Sequence, residues 1–154
     1  MRSSLTATKL FFWQLLSISV VLLAGCANEG VRKETNVTLT GAQAVPPVTT
    51  VARGIGAVRI GVDRSVSGTV TTSGLVSIGA HIHEGAPGQN GSIIIPLTKT
   101  VDDVWSVPAG AKLTDSQYES YKAGNLYVNV HTAANKGGEI RGQVRRIDLL
   151  PLPW

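Results

Sequence analysis

Short runs in which apolar and polar residues alternate recur along the chain from residue 37 onward. A period of two places successive side chains on opposite faces of a β-strand. Gly, Pro, Asn and Ser separate these runs, as turns between strands require. The pattern predicts eight strands, over residues 37–41, 55–62, 65–72, 76–83, 92–97, 101–107, 126–132 and 139–147. Many short strands at this spacing indicate an all-β fold, a sandwich or a barrel.

One segment departs from the alternation. Thr114 and Gln117 have the spacing of a capping box, in which each side chain satisfies a backbone amide at the start of a helix. Gly124 supplies a residue that readily takes the left-handed conformation of a helix end. We therefore expect one short helix over residues 115–123.

All three histidines of the chain lie in predicted strands, and two of them lie in the same one. There Ile78, Ala80 and Ile82 share one face of the strand. His81 and His83 then share the other face, with Cα atoms roughly 6.5–7 Å apart. Both rings are close enough to reach one ion.

The third histidine follows the same rule in a later strand. Val128 and Val130 share the apolar face, which leaves Tyr127, Asn129 and His131 on the opposite face. The pattern therefore turns all three imidazoles away from the apolar side of their strands.

These histidines suggest a metal site made of His81, His83 and His131. Three imidazole nitrogens, completed by water or Glu84, suit Cu(II) in a tetragonal site or Zn²⁺ in an open tetrahedral site. Copper, or alternatively zinc, is thus the expected cofactor. The alternative is that these imidazoles only hydrogen-bond to neighbours and adjust contacts with a partner.

The last predicted hairpin supplies polar neighbours for this site. We expect Val130 to face Ile140 on its apolar side. This register sets His131 opposite Glu139, whose carboxylate would accept a hydrogen bond from the free ring nitrogen. The residues predicted to surround the metal ligands are Glu139, Asn129, Arg141 and Glu84.

The first 25 residues indicate an export signal. Arg2 and Lys9 precede an apolar stretch, residues 10–23, that is too short and too interrupted for a transmembrane helix. The stretch leads into Leu-Ala-Gly-Cys, which is similar to the lipobox of bacterial lipoproteins. Cys26, the one cysteine of the chain, would then carry lipid and anchor the protein in the cell envelope, at the outer membrane or cell surface. The alternative is a plain signal peptide with an incidental cysteine.

The charge balance argues against nucleic-acid binding, and the sequence divides into four predicted segments. Removal of residues 1–25 leaves 12 basic residues against 10 acidic ones, and no basic stripe with interleaved aromatics supports nucleic-acid binding. We expect a signal peptide over residues 1–25, a lipid-anchored tether over 26–35, one domain over 36–147 and a tail over 148–154.

Three blocks of sequence resemble the CHRD domain, a module named for its occurrence in chordin. They are LTGAQAVPPV at 39–48, HIHEGAPGQNG at 81–91, and GNLYVNVHT at 124–132 followed by GEIRGQ at 138–143. The resemblance implies an antiparallel, Greek-key-like β-sandwich and little about activity. In chordin these domains accompany growth-factor-binding modules. The His-x-His pattern is also similar, more weakly, to that of copper–zinc superoxide dismutase.

The sequence thus predicts an envelope-anchored binding module with a three-histidine, copper-like metal site. The alternative is a metal-free adhesion or scaffold domain that binds a protein or glycan partner through the same face. No Ser or Cys nucleophile has a recognisable motif, so no catalytic residue is predicted. A copper-dependent redox activity is the one enzymatic alternative.

Overall fold

The computed structural model describes residues 33–145, and their side chains from residue 36. The fold is almost entirely strand. In chain order the elements are β1 (Lys33–Thr40), a 3₁₀ turn (Gly41–Gln43), β2 (Arg53–Ile60), β3 (Val66–Ser73), β4 (Ser77–Glu84), β5 (Ser92–Pro96), β6 (Thr98–Val101), β7 (Val104–Ser106), α1 (Asp115–Lys122), β8 (Leu126–Thr132) and β9 (Ile140–Val144). The predicted all-β fold with one short helix is confirmed.

The nine strands form one antiparallel sheet in the order β5-β4-β8-β9-β1-β2-β3-β7-β6. The two edge strands, β5 and β6, follow each other in the chain with Leu97 between them. Leu97 donates a backbone hydrogen bond of 2.9 Å to Ala80 on β4. The sheet therefore rolls up until its edges nearly meet, which gives an almost closed barrel.

One hydrophobic core fills the interior of the rolled sheet. It combines Val37 and Val58 from one half with Ile82 and Val128 from the other, all at most 1% exposed. Trp105 on β7 donates its indole N–H to the Ser77 hydroxyl at 3.0 Å. The two halves enclose this core as the layers of a sandwich do, and burial of apolar area is the main stabilising contribution.

The predicted helix is confirmed in detail. Thr114 accepts from the Gln117 amide, and the Gln117 side chain accepts from the Thr114 amide, so both bonds of the capping box are present. Gly124 follows with a φ of +77°. Within the described residues, no helix is both long and apolar enough to cross a membrane.

Two strand predictions need correction. The strand predicted over residues 101–107 is a hairpin, because the chain reverses at Asp102 and Asp103 between β6 and β7. Asp103 has a φ of +62° there, a turn conformation that Asp tolerates better than most residues. Ile78 was predicted on the apolar face but is 58% exposed, because the register shifts between Ser77 and Gly79 and turns Ser77 inward instead.

The first strand starts at Lys33, before the predicted domain boundary at residue 36. The predicted signal peptide, lipid site at Cys26 and C-terminal tail over 148–154 lie outside the described residues, which end at residue 145.

Candidate metal centre

The register of two adjacent central strands brings the histidines together. β4 and β8 pair so that His81 lies opposite Asn129 and Gly79 lies opposite His131. His81 and His131 are therefore diagonal neighbours on one face. A Cβ on Gly79 would stand 3.6 Å from the His81 ring and 4.0 Å from the His131 ring. A side chain as small as that of alanine would therefore meet both rings only at ordinary van der Waals distance.

The three rings converge as the sequence predicted. One nitrogen of each of His81, His83 and His131 lies within 4.8 Å of the others. The closest pair is His81 Nδ1 and His131 Nε2, at 3.0 Å. Two nitrogens bound at right angles to one ion would be about 2.9 Å apart, given bonds of about 2.0–2.1 Å. The three nitrogens, as much as 4.8 Å apart, must close to at most about 4.2 Å, twice such a bond, before all of them can bind one ion.

Backbone carbonyls fix which nitrogen of two rings carries the proton. His83 Nδ1 donates to the Gly91 carbonyl at 3.0 Å, and His131 Nδ1 donates to the Lys136 carbonyl at 2.9 Å. A carbonyl can only accept, so each Nδ1 bears hydrogen and each neutral ring keeps its lone pair on Nε2. Such outer hydrogen bonds commonly orient metal-binding imidazoles.

His81 then has a defined role in the metal-free state. Because His131 Nε2 carries a lone pair, His81 Nδ1 donates the hydrogen bond that joins the two rings. Binding an ion through His81 Nδ1 would require this proton to move to Nε2 of the same ring. The hydrogen bond is thus a contact that a metal ion would replace.

His83 Nε2 is the least satisfied atom of the cluster. The residue is 7% exposed, and this nitrogen is buried without a hydrogen-bond partner among the described residues. A buried acceptor left without a partner costs about 1–3 kcal/mol. An ion bound at this nitrogen would remove that cost.

A loop covers the site from outside. The glycine loop (residues 85–91) folds back over the outer face of β8 and β9. Its Gly91 amide donates to the Tyr127 hydroxyl at 3.0 Å, and its Gly85 carbonyl accepts from Gln143 at 2.9 Å. The prediction that the histidines face away from the core is correct, but that face is partly enclosed.

Burial keeps two of the imidazoles neutral. Desolvation lowers the pKa of His81 below its usual 6.5, and the neighbouring His131 and His83 lower it further. Desolvation also lowers the pKa of His83, although its bond to Gly91 opposes the shift. A neutral imidazole is the form that binds metal, so the site is ready for an ion at neutral pH.

Tyr127 stacks on the His83 ring, and Arg141 stacks on Tyr127. The rings of His83 and Tyr127 stack with centroids 4.8 Å apart and an interplanar angle of 13°. The Arg141 guanidinium lies on the other side of Tyr127, 3.5 Å from the ring centroid. This cation contributes to the lowered pKa of His83 and holds Tyr127 against the ring.

Asn129 and Arg141 lie where the predicted register placed them. They pair across β8 and β9, and Val130 faces Ile140. Asn129 donates to the Gly137 carbonyl at 2.9 Å, while its Oδ1 is buried without a partner among the described residues. Both residues support the face beside the histidines.

The prediction that the Glu139 carboxylate accepts a hydrogen bond from His131 is wrong. The ladder of β8 and β9 ends at the pair Val130 and Ile140, so Glu139 lies outside the regular register. Its carboxylate accepts from three groups, on Thr50, Thr132 and Asn135. These bonds lower the pKa of Glu139, with the Thr132 hydroxyl contributing most. His131 finds its acceptor on Lys136 instead.

Glu84, which was also predicted beside the metal ligands, lies away from them. It follows His83 directly, and successive strand residues point to opposite faces. Its carboxylate accepts a hydrogen bond from Ser120 on α1. Glu84 therefore links β4 to the helix and is not part of the three-histidine group.

Sequence reasoning missed the stacking of Tyr127 on His83 and the cover supplied by the glycine loop. Tyr127 was recognisable, because the alternation of β8 already put it on the face of His131. The loop carried no such signal, because its contacts reach residues more than 30 positions away, such as Tyr127 and Arg141.

Comparison with curated proteins and with solved structures gives no match. The model of one family does match, described as the CHRD domain, over residues 35–144. This range contains all three histidines and every strand from β2 to β9. The chain therefore belongs to the CHRD domain family.

Proposed function

We propose that this CHRD domain is a binding module whose three-histidine centre takes one divalent copper-like ion. The observation that supports this most strongly is the buried His83 Nε2, which has no partner among the described residues. It faces a cluster in which one nitrogen of each ring lies within 4.8 Å of the others. The large majority of buried side-chain polar atoms have a hydrogen-bond partner, and an ion would supply one here.

The donor set favours Cu(II) over other ions. Imidazole nitrogens suit Cu(II), Zn²⁺ and Ni²⁺, and copper binds such ligands most tightly in the divalent series. The described residues contain neither cysteine nor methionine, so they offer no soft sulfur ligand for Cu(I). Three nitrogens leave at least one position open for water or another ligand.

The test is a calorimetric titration of residues 27–154 with Cu(II), which excludes the Cys26 thiol from the measurement. We expect one ion per chain. The variant with both His81→Ala and His83→Ala should lose at least about a hundredfold in affinity, since one ligand remains.

Lys136→Ala is the matched control. Lys136 contacts His131 through its backbone carbonyl, which the substitution keeps, so affinity should not change. Equal copper uptake by the wild type and the double variant would contradict the proposal. A metal-free adhesion or scaffold domain, which binds a protein or glycan through the same face, would then be the better account.

A further inference from the structure

A groove separate from the histidine cluster opens on the same side of the barrel. Its walls are the proline loop (residues 42–47) and the tip of the glycine loop, and its floor is the end of β9. Asn90 joins the two loops by donating to the Val45 carbonyl at 2.9 Å. The groove encloses about 400 Å³, which is within the range of small-molecule sites.

The groove is cationic. Arg141 and Arg145 both line it, and no aspartate or glutamate does. Arg145 is exposed, whereas Arg141 is only 2% exposed. Ion pairs in the described part of the chain join Arg64 to Asp115 and two lysines to acidic neighbours, and none involves Arg141.

Arg141 is held rigidly but is not neutralised. Its guanidinium donates to the carbonyls of Gln89 and Ala86 and to the Gln143 side chain, at 2.9–3.1 Å. These acceptors are all uncharged, and they take three of the five N–H donors of a guanidinium. Tyr127 supports its face at 3.5 Å. A buried charge ordinarily has a charged partner, because removing it from water is costly.

The walls show what else a ligand would contact. Val45, Pro47 and Pro87 present apolar surface to the groove. Both Nη2 hydrogens of Arg141 are already donated, so Arg141 offers an anion its charge and single N–H bonds. The exposed guanidinium of Arg145 can match both oxygens of a carboxylate. Apolar walls above a fixed cation thus suit a small molecule that combines an apolar body with a carboxylate.

We propose that the groove between the proline loop and the glycine loop binds a small organic carboxylate, with Arg141 and Arg145 as its anion-binding residues. This site is independent of the metal proposed above. The carboxylate approaches the guanidinium from the open side of the groove, and the apolar body packs against the prolines.

The test uses the metal-free, purified full chain in a neutral detergent, titrated with benzoate and followed by backbone amide NMR shifts. We expect saturable shifts at residues 42–45 and 88–91, which carry amide protons, with a dissociation constant on the order of 1 mM, as a fragment-sized ligand allows. Benzamide, the neutral analogue of the same shape, should give no saturable shift.

Two exposed positions give variants that keep the fold. Ala42→Glu adds a negative charge to the wall of the groove without removing a hydrogen bond and should weaken benzoate binding about fivefold. Arg145→Gln should weaken it about two- to fivefold. Lys99→Gln removes the same charge from a surface outside the groove and should have no effect. This control distinguishes the loss of a contact in the groove from a change in the net charge of the protein.

Three outcomes would overturn the proposal. They are equal binding of benzamide and benzoate, tighter binding of inorganic phosphate than of benzoate, and no saturable shift in the groove with any probe. The single variant His81→Ala, whose ring contacts the other two histidines and not the glycine loop, should bind benzoate normally. This expectation keeps a failure of the groove distinguishable from a failure of the metal site.

Discussion

Gly138 approaches Asn129 so closely that a side chain there would displace the Asn129 amide. A Cβ at this position would stand 2.1 Å from Asn129 Oδ1, and the backbone φ of +120° is one that other residues rarely adopt. Asn129 in turn lies opposite His81 in the sheet. One glycine therefore keeps a buried amide in position beside the candidate ligands.

We predict that Gly138→Ala lowers the free energy of unfolding by about 2–4 kcal/mol, from strain and a displaced Asn129. Gly137→Ala is the matched control, because a Cβ there would meet nothing within 4 Å. That change should cost at most about 1 kcal/mol. Urea denaturation of the three proteins measures both values, and equal stabilities of the two variants would contradict this account.

At the scale of elements, local patterns in the sequence predicted most of the fold. Alternation located the strands around the histidines, and the capping box located α1. Alternation also turned the three histidines away from the apolar sides of their strands, and the apolar pair Val130 and Ile140 gave the register of β8 and β9. These features depend on neighbours in sequence or on one hairpin.

Features that depend on distant contacts were not predictable in this way. The bulge in β4 exposes Ile78, because pairing with β8 shifts there and alternation alone cannot report a shift. The glycine loop lies over the site because Arg141, Gln143 and Tyr127 bind it from other strands. Glu139 was misplaced because the regular ladder was extended one residue too far.

At the scale of the whole molecule, burial in the barrel keeps two imidazoles neutral, and this lowers the stability of the fold at acid pH. Because the folded-state pKa values of His81 and His83 are lowered, the unfolded chain binds more protons once the pH falls below about 6.5. The free energy of unfolding is therefore highest above that pH. It decreases as the pH falls from about 6.5 through the lower folded-state pKa values of the two histidines. Below about pH 4.5, protonation of Glu139 should lower the free energy of unfolding further.

We predict that the metal-free domain loses stability between pH 7 and pH 5, and that copper affinity falls over the same range. Denaturant titrations across these pH values would measure the first effect. The variant with both His81→Ala and His83→Ala should show a flatter profile. A wild-type stability that does not change over this range would contradict the lowered pKa values.

The cellular setting is a further prediction at this scale. We propose that Cys26 carries lipid and holds the domain at the cell envelope, because it follows the Leu-Ala-Gly of a lipobox-like sequence. The protein should fractionate with membranes. Cys26→Ser should release it or leave the precursor uncleaved, with mass spectrometry as the readout. A fully soluble wild type with an unmodified thiol would contradict this proposal.

The most direct test of the metal centre is anomalous diffraction from crystals of residues 27–154 grown with Cu(II). We expect one anomalous peak about 2 Å from His81 Nδ1, His83 Nε2 and His131 Nε2. His83 and His131 should keep their hydrogen bonds to the carbonyls of Gly91 and Lys136. An empty space between the three rings, with copper bound elsewhere or not at all, would contradict the proposal of a metal centre.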